Sequence, residues 1–205
     1  MLITDTGRSY LSLWVGVAVV VAAVAGIFLY YSKEAPEKDP SGKPYLRVVP
    51  TEAKLKSRLS DIQYHVMREN GSETAFQNKY WDNFSPGLYV DLITGEPLFS
   101  SLDKFDSKLG RPSFTKPISP DVVMEKPDNS FEMQRIEVRT VRSNSHLGHV
   151  FSDGPPPTGR RYAVNSAALR FVPLESLHSE GYAEFLPLFR PAQSPPPSAT
   201  TPGTK

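Results

Sequence analysis

The chain contains no cysteine among its 205 residues, and this absence excludes several kinds of chemistry at once. Without a thiol there is no disulfide, no thiolate zinc site, no iron–sulfur cluster and no lipid anchor attached through cysteine. The formal net charge is only +1, so composition gives no electrostatic argument for nucleic acid as a partner. The lack of cysteine does not by itself fix the redox compartment.

Charged side chains are absent from one long stretch, residues 11–31. As a helix this stretch would span about 30 Å, the thickness of a bilayer's hydrocarbon core. Trp14, Tyr30 and Tyr31 lie near its ends, as interfacial aromatic residues do. We therefore predict a stub over residues 1–10 and a single transmembrane helix over 11–31, so that one partner is the membrane. A signal peptide cleaved near Ala25 is the alternative.

The flanking charges give no clear orientation for this helix, since Arg8 is the only basic residue before it and four follow within the next 16 residues. A literal count of basic residues places the C-terminal domain in the cytoplasm, but large domains translocate regardless of such charges. A short stub before a large domain favours a domain outside the cytoplasm. We expect a single-pass membrane protein of that orientation.

Composition divides the remainder into three parts. Residues 32–50 are polar and contain four prolines, which predicts a semi-extended linker. Residues 51–190 have the mixture expected of a folded domain. Residues 191–205 are rich in Pro, Ser and Thr, cannot bury a core, and are predicted to be a disordered tail.

Within the domain, helical sequence comes first and β sequence follows. Ser60 and Gln63 have the spacing of a capping box, and Asn70 with Gly71 predicts a left-handed helix end. After that, residues 88–93, 133–141 and 167–172 are rich in strand-forming or apolar residues, with Gly and Pro between them. The pattern predicts a mainly β domain with short N-terminal helices.

Five blocks of sequence, in a fixed order, are the most specific feature of the chain. They are residues 63–66 (QYHV), 95–101 (GEPLFSS), 104–107 (KFDS), 112–117 (PSFTKP) and 146–171, which begins HLGHVF and ends NSAALRF. Together they closely resemble the methionine-R-sulfoxide reductases, the MsrB or SelR family, over about residues 59–173. The resemblance implies that family's fold, two antiparallel sheets in the β-tent arrangement shared with Mss4-like domains.

The resemblance also implies a catalytic site. In the family, the cysteine of an R-Y-C-x-N sequence attacks the sulfoxide sulfur, becomes a sulfenic acid, and is restored by a second thiol or by thioredoxin. The matching residues here run from Arg161 to Asn165 and place Ala163 at the nucleophile position. By resemblance, His146, His149 and Asn165 would hold the sulfoxide oxygen and help to protonate it.

Other positions of the family pattern are also changed. The resemblance implies a substrate-binding wall made of Arg111, Phe114, Phe151 and Arg161. Arg111 replaces a tryptophan that packs against the substrate's S-methyl group, and Leu109 stands at the usual position of a recycling thiol.

The zinc-bearing members of the family carry two C-x-x-C pairs. The residues at those positions here are Asp91, Thr94, Thr140 and Ser143, so we expect no structural zinc and no other cofactor.

Three functions remain open. The first is a membrane-anchored, catalytically inactive relative of the reductases that binds a peptide, a methionine-sulfoxide-containing protein or a partner in a membrane complex. The second is a genuine peptide-methionine-R-sulfoxide reductase whose nucleophile was engineered away. The third is a structural domain, or one in which His146 and His149 bind a metal. Because residues i and i+3 of a regular strand face opposite sides, the metal hypothesis is the weakest of the three.

Overall fold

The computed structural model describes residues 39–190, which form two antiparallel sheets and two short α-helices. The predicted stub, transmembrane helix and tail lie outside the described residues, as does the first part of the predicted linker. Within residues 39–190, no helix is both long enough and apolar enough to cross a membrane.

The helices open the domain. Helix α1 spans Glu52–Arg58 and α2 spans Asp61–Glu69. The predicted capping box is confirmed, because the Ser60 hydroxyl accepts from the Gln63 backbone N–H while the Gln63 side chain accepts from the Ser60 N–H. The predicted left-handed end is confirmed at Asn70, where φ is 57°. This sharp end directs Gly71 and Ser72 away from the helix.

The smaller sheet consists of three strands in the order β2-β1-β9. Its strands are β1 (Gly87–Asp91), β2 (Pro97–Ser100) and β9 (Leu169–Pro173). Every residue of β1 is buried, because both faces of this central strand are covered. Tyr89 faces the main core, whereas Leu88 and Val90 belong to a second apolar cluster.

The larger sheet consists of six strands in the order β3-β4-β8-β7-β6-β5, all antiparallel neighbours. The strands are β3 (Lys104–Phe105), β4 (Ser113–Phe114), β5 (Val123–Asp128), β6 (Arg135–Thr140), β7 (His146–Phe151) and β8 (Arg161–Val164). The predicted mainly β class with two antiparallel sheets is therefore confirmed.

The predicted strands differ from the observed ones chiefly at their ends. Residues 88–93 correspond to β1, which stops at Asp91 where a turn begins, and residues 133–141 contain β6. Of residues 167–172, the first two belong to a 3-10 turn, Ser166–Ala168, and only the remainder is strand. Alanine has little preference for strands, so the apolar run there did not reveal the turn.

The second apolar cluster contains part of the predicted linker. Tyr45 and Leu46 are buried in it, and the Tyr45 ring stacks on Tyr182 with 4.5 Å between centroids. The backbone N–H of Arg47 donates to the carbonyl of Thr94 at 2.9 Å. Residues 39–47, which we call the strap, are therefore packed on the domain, because two large apolar side chains outweigh the local Pro- and Lys-rich composition.

Candidate functional site

A pocket of about 650 Å³ lies where α2, β7 and β8 meet. Its lining contains seven of the eight sequence-predicted site residues together with parts of α2, its C-terminal turn and the loop before β4. These residues are His65, Glu69, Asn70, Gly71, Ser72, Leu109, Arg111, Arg135, His146, Gly148, His149, Phe151, Arg161, Ala163 and Asn165. The structure thus brings seven of the eight residues together around one pocket.

Ala163 lies in the middle of β8, between β4 and β7. Its cross-strand partners are Ser113 on β4 and His149 on β7, and only 7% of the Ala163 surface is exposed to solvent. Strand β7 approaches β8 closely at Gly148, where an added Cβ would stand 2.1 Å from the Ala163 carbonyl oxygen. Glycine is required there for both space and backbone angle, since φ is +152°. A methyl group thus occupies the centre of a tightly built wall.

His146 and His149, two of the three histidines that line the pocket, are each held by a carboxylate. The distance from His146 Nδ1 to Glu137 Oε1 is 2.7 Å, and that from His149 Nε2 to Asp128 Oδ2 is also 2.7 Å. An ionised carboxylate only accepts hydrogen bonds, so these ring nitrogens carry the protons. His146 Nε2 and His149 Nδ1 are the nitrogens left for other partners.

An arginine shares each carboxylate with its histidine. Arg139 Nη1 donates to Glu137 at 2.6 Å, and Arg135 Nη2 donates to Asp128 at 2.8 Å. Burial alone would raise the pKa of Glu137, but the hydrogen bonds from His146 and Arg139 outweigh it and lower the pKa. Each carboxylate is thus kept ionised and fixes the orientation of its imidazole.

The pKa values follow from these contacts. The hydroxyl and the backbone N–H of Ser130, followed by His149, donate to Asp128 and hold its pKa far below the usual range. Burial lowers the pKa of His146, although the hydrogen bond to Glu137 acts in the opposite direction. At neutral pH His146 therefore presents an unprotonated Nε2 as its available nitrogen.

The two histidines lie on the same side of the sheet, contrary to the alternation that we used to weaken the metal hypothesis. Their ring centroids are 5.5 Å apart. The cause is a β-bulge: Val138 pairs with Gly148 and Arg139 pairs with His146, so Leu147 is an extra residue on β7. Leu147 turns into the core, and the alternation resumes one residue out of step.

Asn165 and Arg111 are joined. The Asn165 side-chain oxygen accepts from Arg111 Nη1 at 2.7 Å and from the Glu73 backbone N–H at 3.1 Å, and its Nδ2 donates to the Leu147 carbonyl at 3.0 Å. Arg111 Nη2 donates to the Glu73 carbonyl at 2.7 Å. Most of the hydrogen-bonding capacity of the Asn165 amide is therefore used within the protein.

The remaining aromatic and cationic wall is formed by Arg161 and Phe151. Arg161 makes a two-pronged ion pair with Asp153, both distances being 2.9 Å, and its guanidinium carbon lies 4.3 Å from the Phe151 ring centre. This stacking fixes the flat faces of both groups against each other.

Phe114 does not line this pocket, although sequence reasoning assigned it to the wall. It is fully buried, stacks on Phe99 with 4.4 Å between centroids, and contacts Tyr89 edge-on. On the short strand β4 its neighbour Ser113 pairs with Ala163, and alternation turns Phe114 towards the main core.

The four residues that the resemblance matched to zinc-binding positions form, together with Ser145, a second polar cluster, which we call the polar node. The Asp91 carboxylate accepts from the Thr94 hydroxyl at 2.6 Å and from the Ile93 N–H at 3.2 Å. Ser143 links this group to the adjacent turn, where its hydroxyl is 2.6 Å from that of Thr140. The members, all buried, are Asp91, Thr94, Thr140, Ser143 and Ser145.

Burial raises the pKa of Asp91, and the hydrogen bonds from Thr94 and Ser143 offset this only in part. Across residues 39–190, no group of three or more His, Cys, Asp or Glu side chains is arranged to hold a metal ion.

Sequence reasoning missed the two carboxylates that hold the histidines. A signal was present on β6, where Arg135, Glu137 and Arg139 alternate with Ile136 and Val138 and so share one face. Asp128, at the end of β5, gave no such signal because its role depends on which strands pair.

A two-sheet β fold with paired histidines beside a fixed asparagine defines the class of this domain. The SelR domain family matches residues 59–173, and the chain belongs to this family. It is 50% identical over 148 residues to the "Peptide methionine sulfoxide reductase MsrA/MsrB" of Vibrio cholerae. That alignment covers 72% of this chain but 39% of the relative, so the chain spans about two fifths of that protein's length.

Proposed function

We propose that this chain is a membrane-anchored SelR-domain protein whose pocket binds a ligand without reducing it. The observation that carries the proposal is the methyl group of Ala163 at the centre of the pocket wall, in a chain without cysteine. Reduction by the thiol route forms a bond between a thiolate and the sulfoxide sulfur and passes through a sulfenic acid. A methyl group provides neither the nucleophile nor the site of oxidation.

Ser166, the serine nearest to Ala163 in sequence, does not take over this role. Its residue is 3% exposed. Its hydroxyl donates to the Asn78 side chain at 2.7 Å and accepts from the Tyr80 backbone N–H at 3.0 Å. A hydroxyl committed in this way has no free path to a ligand in the pocket.

A binding role is supported by the polar groups that remain in place. Buried charged and polar groups destabilise a fold unless they are paired, and here both imidazoles, the Asn165 amide and Arg111 are held by specific partners. The pocket is open to solvent and combines oriented polar groups with the apolar surfaces of Phe151, Leu109 and Ala163. Such a combination is typical of ligand sites.

The test is a paired assay on the full chain and on Ala163→Cys, with dithiothreitol and a peptide containing methionine-R-sulfoxide. Ala163→Ser is the matched control, because it resembles cysteine in size but cannot form a sulfenic acid. We expect no turnover by the chain as written or by Ala163→Ser. Thiol-dependent turnover by the chain as written would contradict the proposal.

A second candidate is that the pocket remains competent for sulfoxide reduction once a thiol is present. The observation that favours it is the pair of carboxylate-held imidazoles beside residue 163, in a chain 50% identical to a protein named as a reductase. Turnover by folded Ala163→Cys would support it. A folded but inactive Ala163→Cys would count against it and would point to Arg111 as the change that remade the pocket.

Membrane anchoring rests on residues 11–31 and is tested separately. The full chain should stay with the membrane after alkaline carbonate extraction, whereas a chain lacking residues 1–38 should be released. Protease added outside intact cells should remove the domain if, as we propose, it faces away from the cytoplasm. If the domain is protected in intact cells and digested only after lysis, the proposed orientation is contradicted.

A further inference from the structure

The lining of the pocket is rich in cationic side chains. Three arginines face it, Arg111, Arg135 and Arg161. Among the described residues that line it, Glu69 is the one carboxylate, and it lies at an exposed position, 3.0 Å from His65. Arg135 and Arg161 are each paired with a carboxylate, Asp128 and Asp153, so Arg111 is the lining arginine without a directly bonded carboxylate in the described structure. Its charge favours an anionic ligand.

Arg111 differs from the other arginines in its partners. Its guanidinium donates two hydrogen bonds, both to neutral oxygens, those of the Asn165 amide and the Glu73 carbonyl, each at 2.7 Å. The nearby Glu73 carboxylate attracts Arg111 electrostatically, but it accepts its hydrogen bonds from the backbone N–H groups of Ser166 and Ala167. A guanidinium has five N–H groups, and two of those of Arg111 are used in these bonds. Within the described residues, three N–H groups therefore remain for a ligand.

The position of Arg111 favours the binding of an anion by its guanidinium. The side chain is partly buried, and burial lowers its pKa, yet a guanidinium stays charged in proteins. Such a cation has lost part of its hydration and has no directly bonded carboxylate. An oxyanion would replace the lost water with charge-assisted hydrogen bonds. The two bonds to Asn165 and Glu73 hold the guanidinium still, which lowers the entropy lost on binding.

The rest of the lining indicates what kind of anion fits. The methyl of Ala163, the ring of Phe151 and the side chain of Leu109 give the pocket apolar surface beside the cationic groups. A volume of about 650 Å³ is much larger than an inorganic ion needs and is within the range of small-molecule sites. The pocket therefore suits an anionic group that carries a short apolar stem.

We propose that the pocket binds a small organic monoanion, a carboxylate or sulfonate on a short apolar stem, through the guanidinium of Arg111. The proposal rests on the proposed function, in which the pocket binds without reducing, and it names the ligand class. Arg111 contacts the anionic oxygens, and the apolar stem lies against Ala163 and Phe151.

The experiment compares methanesulfonate with dimethyl sulfone, which has a similar shape but no charge. The full chain is kept in a non-ionic detergent, and binding is followed by NMR of isotope-labelled alanine methyl groups. The Ala163 signal is identified from its absence in Ala163→Gly. We expect methanesulfonate to shift this signal and to bind at least about tenfold more tightly than the sulfone. Equal affinity for the two, or no shift with either, overturns the proposal.

Variants then test Arg111 itself. Arg111→Gln should weaken methanesulfonate binding by at least about tenfold, because the charge-assisted hydrogen bonds are lost. The matched control is Arg160→Gln, which removes one arginine that is paired with Glu125 and does not line this pocket. The control should change affinity by less than about twofold, since solvent screens distant charges. Equal losses in both variants would overturn the assignment to Arg111.

Arg111→Lys covers the case in which Arg111→Gln fails to fold. A lysine keeps the charge but cannot bind Asn165 and Glu73 in the same way, so binding should weaken while methanesulfonate still exceeds dimethyl sulfone. Loss of that preference in a folded lysine variant overturns the proposal.

The source of the anion is distinguished by two further ligands. A blocked peptide with an internal glutamate is compared with the same peptide carrying glutamine, alongside free propionate. Binding of the glutamate peptide indicates a protein side chain, and binding of propionate alone indicates a free organic acid. Binding of neither carboxylate restricts the class to sulfonates, and failure of methanesulfonate as well overturns the proposal. Turnover of methionine sulfoxide by the same sample would instead contradict the proposed function.

Discussion

The pocket and the polar node are both clusters of polar side chains, but they use their hydrogen bonds in opposite ways. In the node, one carboxylate is surrounded by hydroxyl and backbone N–H donors that are all buried. In the pocket, each carboxylate lies behind a histidine, and the histidine's second nitrogen remains available. The node is closed on itself, whereas the pocket is oriented towards a ligand.

The difference shows why polar residues at family positions do not all have the same meaning. Asp91 ends β1 and Thr94 lies in the turn that follows it, while Thr140 ends β6 and Ser143 lies in the turn after that strand. The node therefore joins a turn of the small sheet to a turn of the large sheet, a structural task. Removing a node residue should affect stability, and removing a pocket residue should affect mainly binding.

The largest effect should come from Asp91→Ala. The substitution leaves several buried donors without their acceptor, so we expect a loss of about 3 kcal/mol in the free energy of unfolding. Urea denaturation measures it, with Asp121→Ala, on an exposed residue, as a control that should change stability by less than about 0.5 kcal/mol. Equal effects of the two substitutions would show that the node does not stabilise the fold.

A smaller effect is expected from Thr94→Val, which keeps the shape and removes the hydroxyl bonded to Asp91. We predict a loss of about 1.5 kcal/mol, and a double variant with Asp91→Ala should lose less than the sum of the two. Additive losses in this cycle would mean that the 2.6 Å contact contributes nothing to stability.

Acid should affect the two clusters with opposite signs. The pKa of Asp91 is raised by burial, so its contribution to stability is fully present below the usual aspartate pKa and is lost as pH rises through the folded-state value. The pKa of Asp128 is lowered by Ser130 and His149, so its contribution is present above the usual value and is lost as pH falls.

Urea denaturation from about pH 3 to 7 tests these signs. Compared with the unaltered chain, Asp91→Asn should lose stability more steeply as pH falls, because it lacks the group that gains a proton on folding. Asp128→Asn should lose it less steeply, chiefly below about pH 4. Parallel pH profiles for the two variants would contradict the assigned environments.

The smallest effect on stability should come from Glu137→Gln, at less than about 1 kcal/mol, because the amide oxygen can still accept a hydrogen bond from His146 or Arg139. Its effect should appear in NMR titration of His146, whose pKa should fall further below the usual value when the carboxylate that favours its protonated form is lost. The exposed Glu132→Gln is the control and should leave that titration unchanged. An unchanged His146 titration in Glu137→Gln would remove Glu137 from its assigned role.

Local sequence was sufficient where the physical cause was local. The capping box of Ser60 and Gln63 and the left-handed Asn70 depend on residues a few positions apart, and both were predicted correctly. The position of Ala163 followed from a short motif. The role of Asp128 depends on which strands pair, and the side of the sheet on which His146 lies depends on a bulge. No local sequence pattern predicts either feature.

Arg111 shows a different reason why the site was not fully predictable. The sequence marked this residue only because it departs from the family pattern. The structure instead joins it to Asn165, 54 positions away. Such a contact depends on the path of two loops, which composition and periodicity do not specify.

The stack of Tyr45 on Tyr182 has a consequence for how this domain can be combined with other sequence. Lys43 and Glu184 form an ion pair beside the stack at 3.2 Å, so a segment near the start of the described domain lies against a segment near its end. A domain whose first and last segments lie side by side is suited to insertion into a loop of another protein or to circular permutation. This arrangement suits a domain that is joined to different neighbouring sequences.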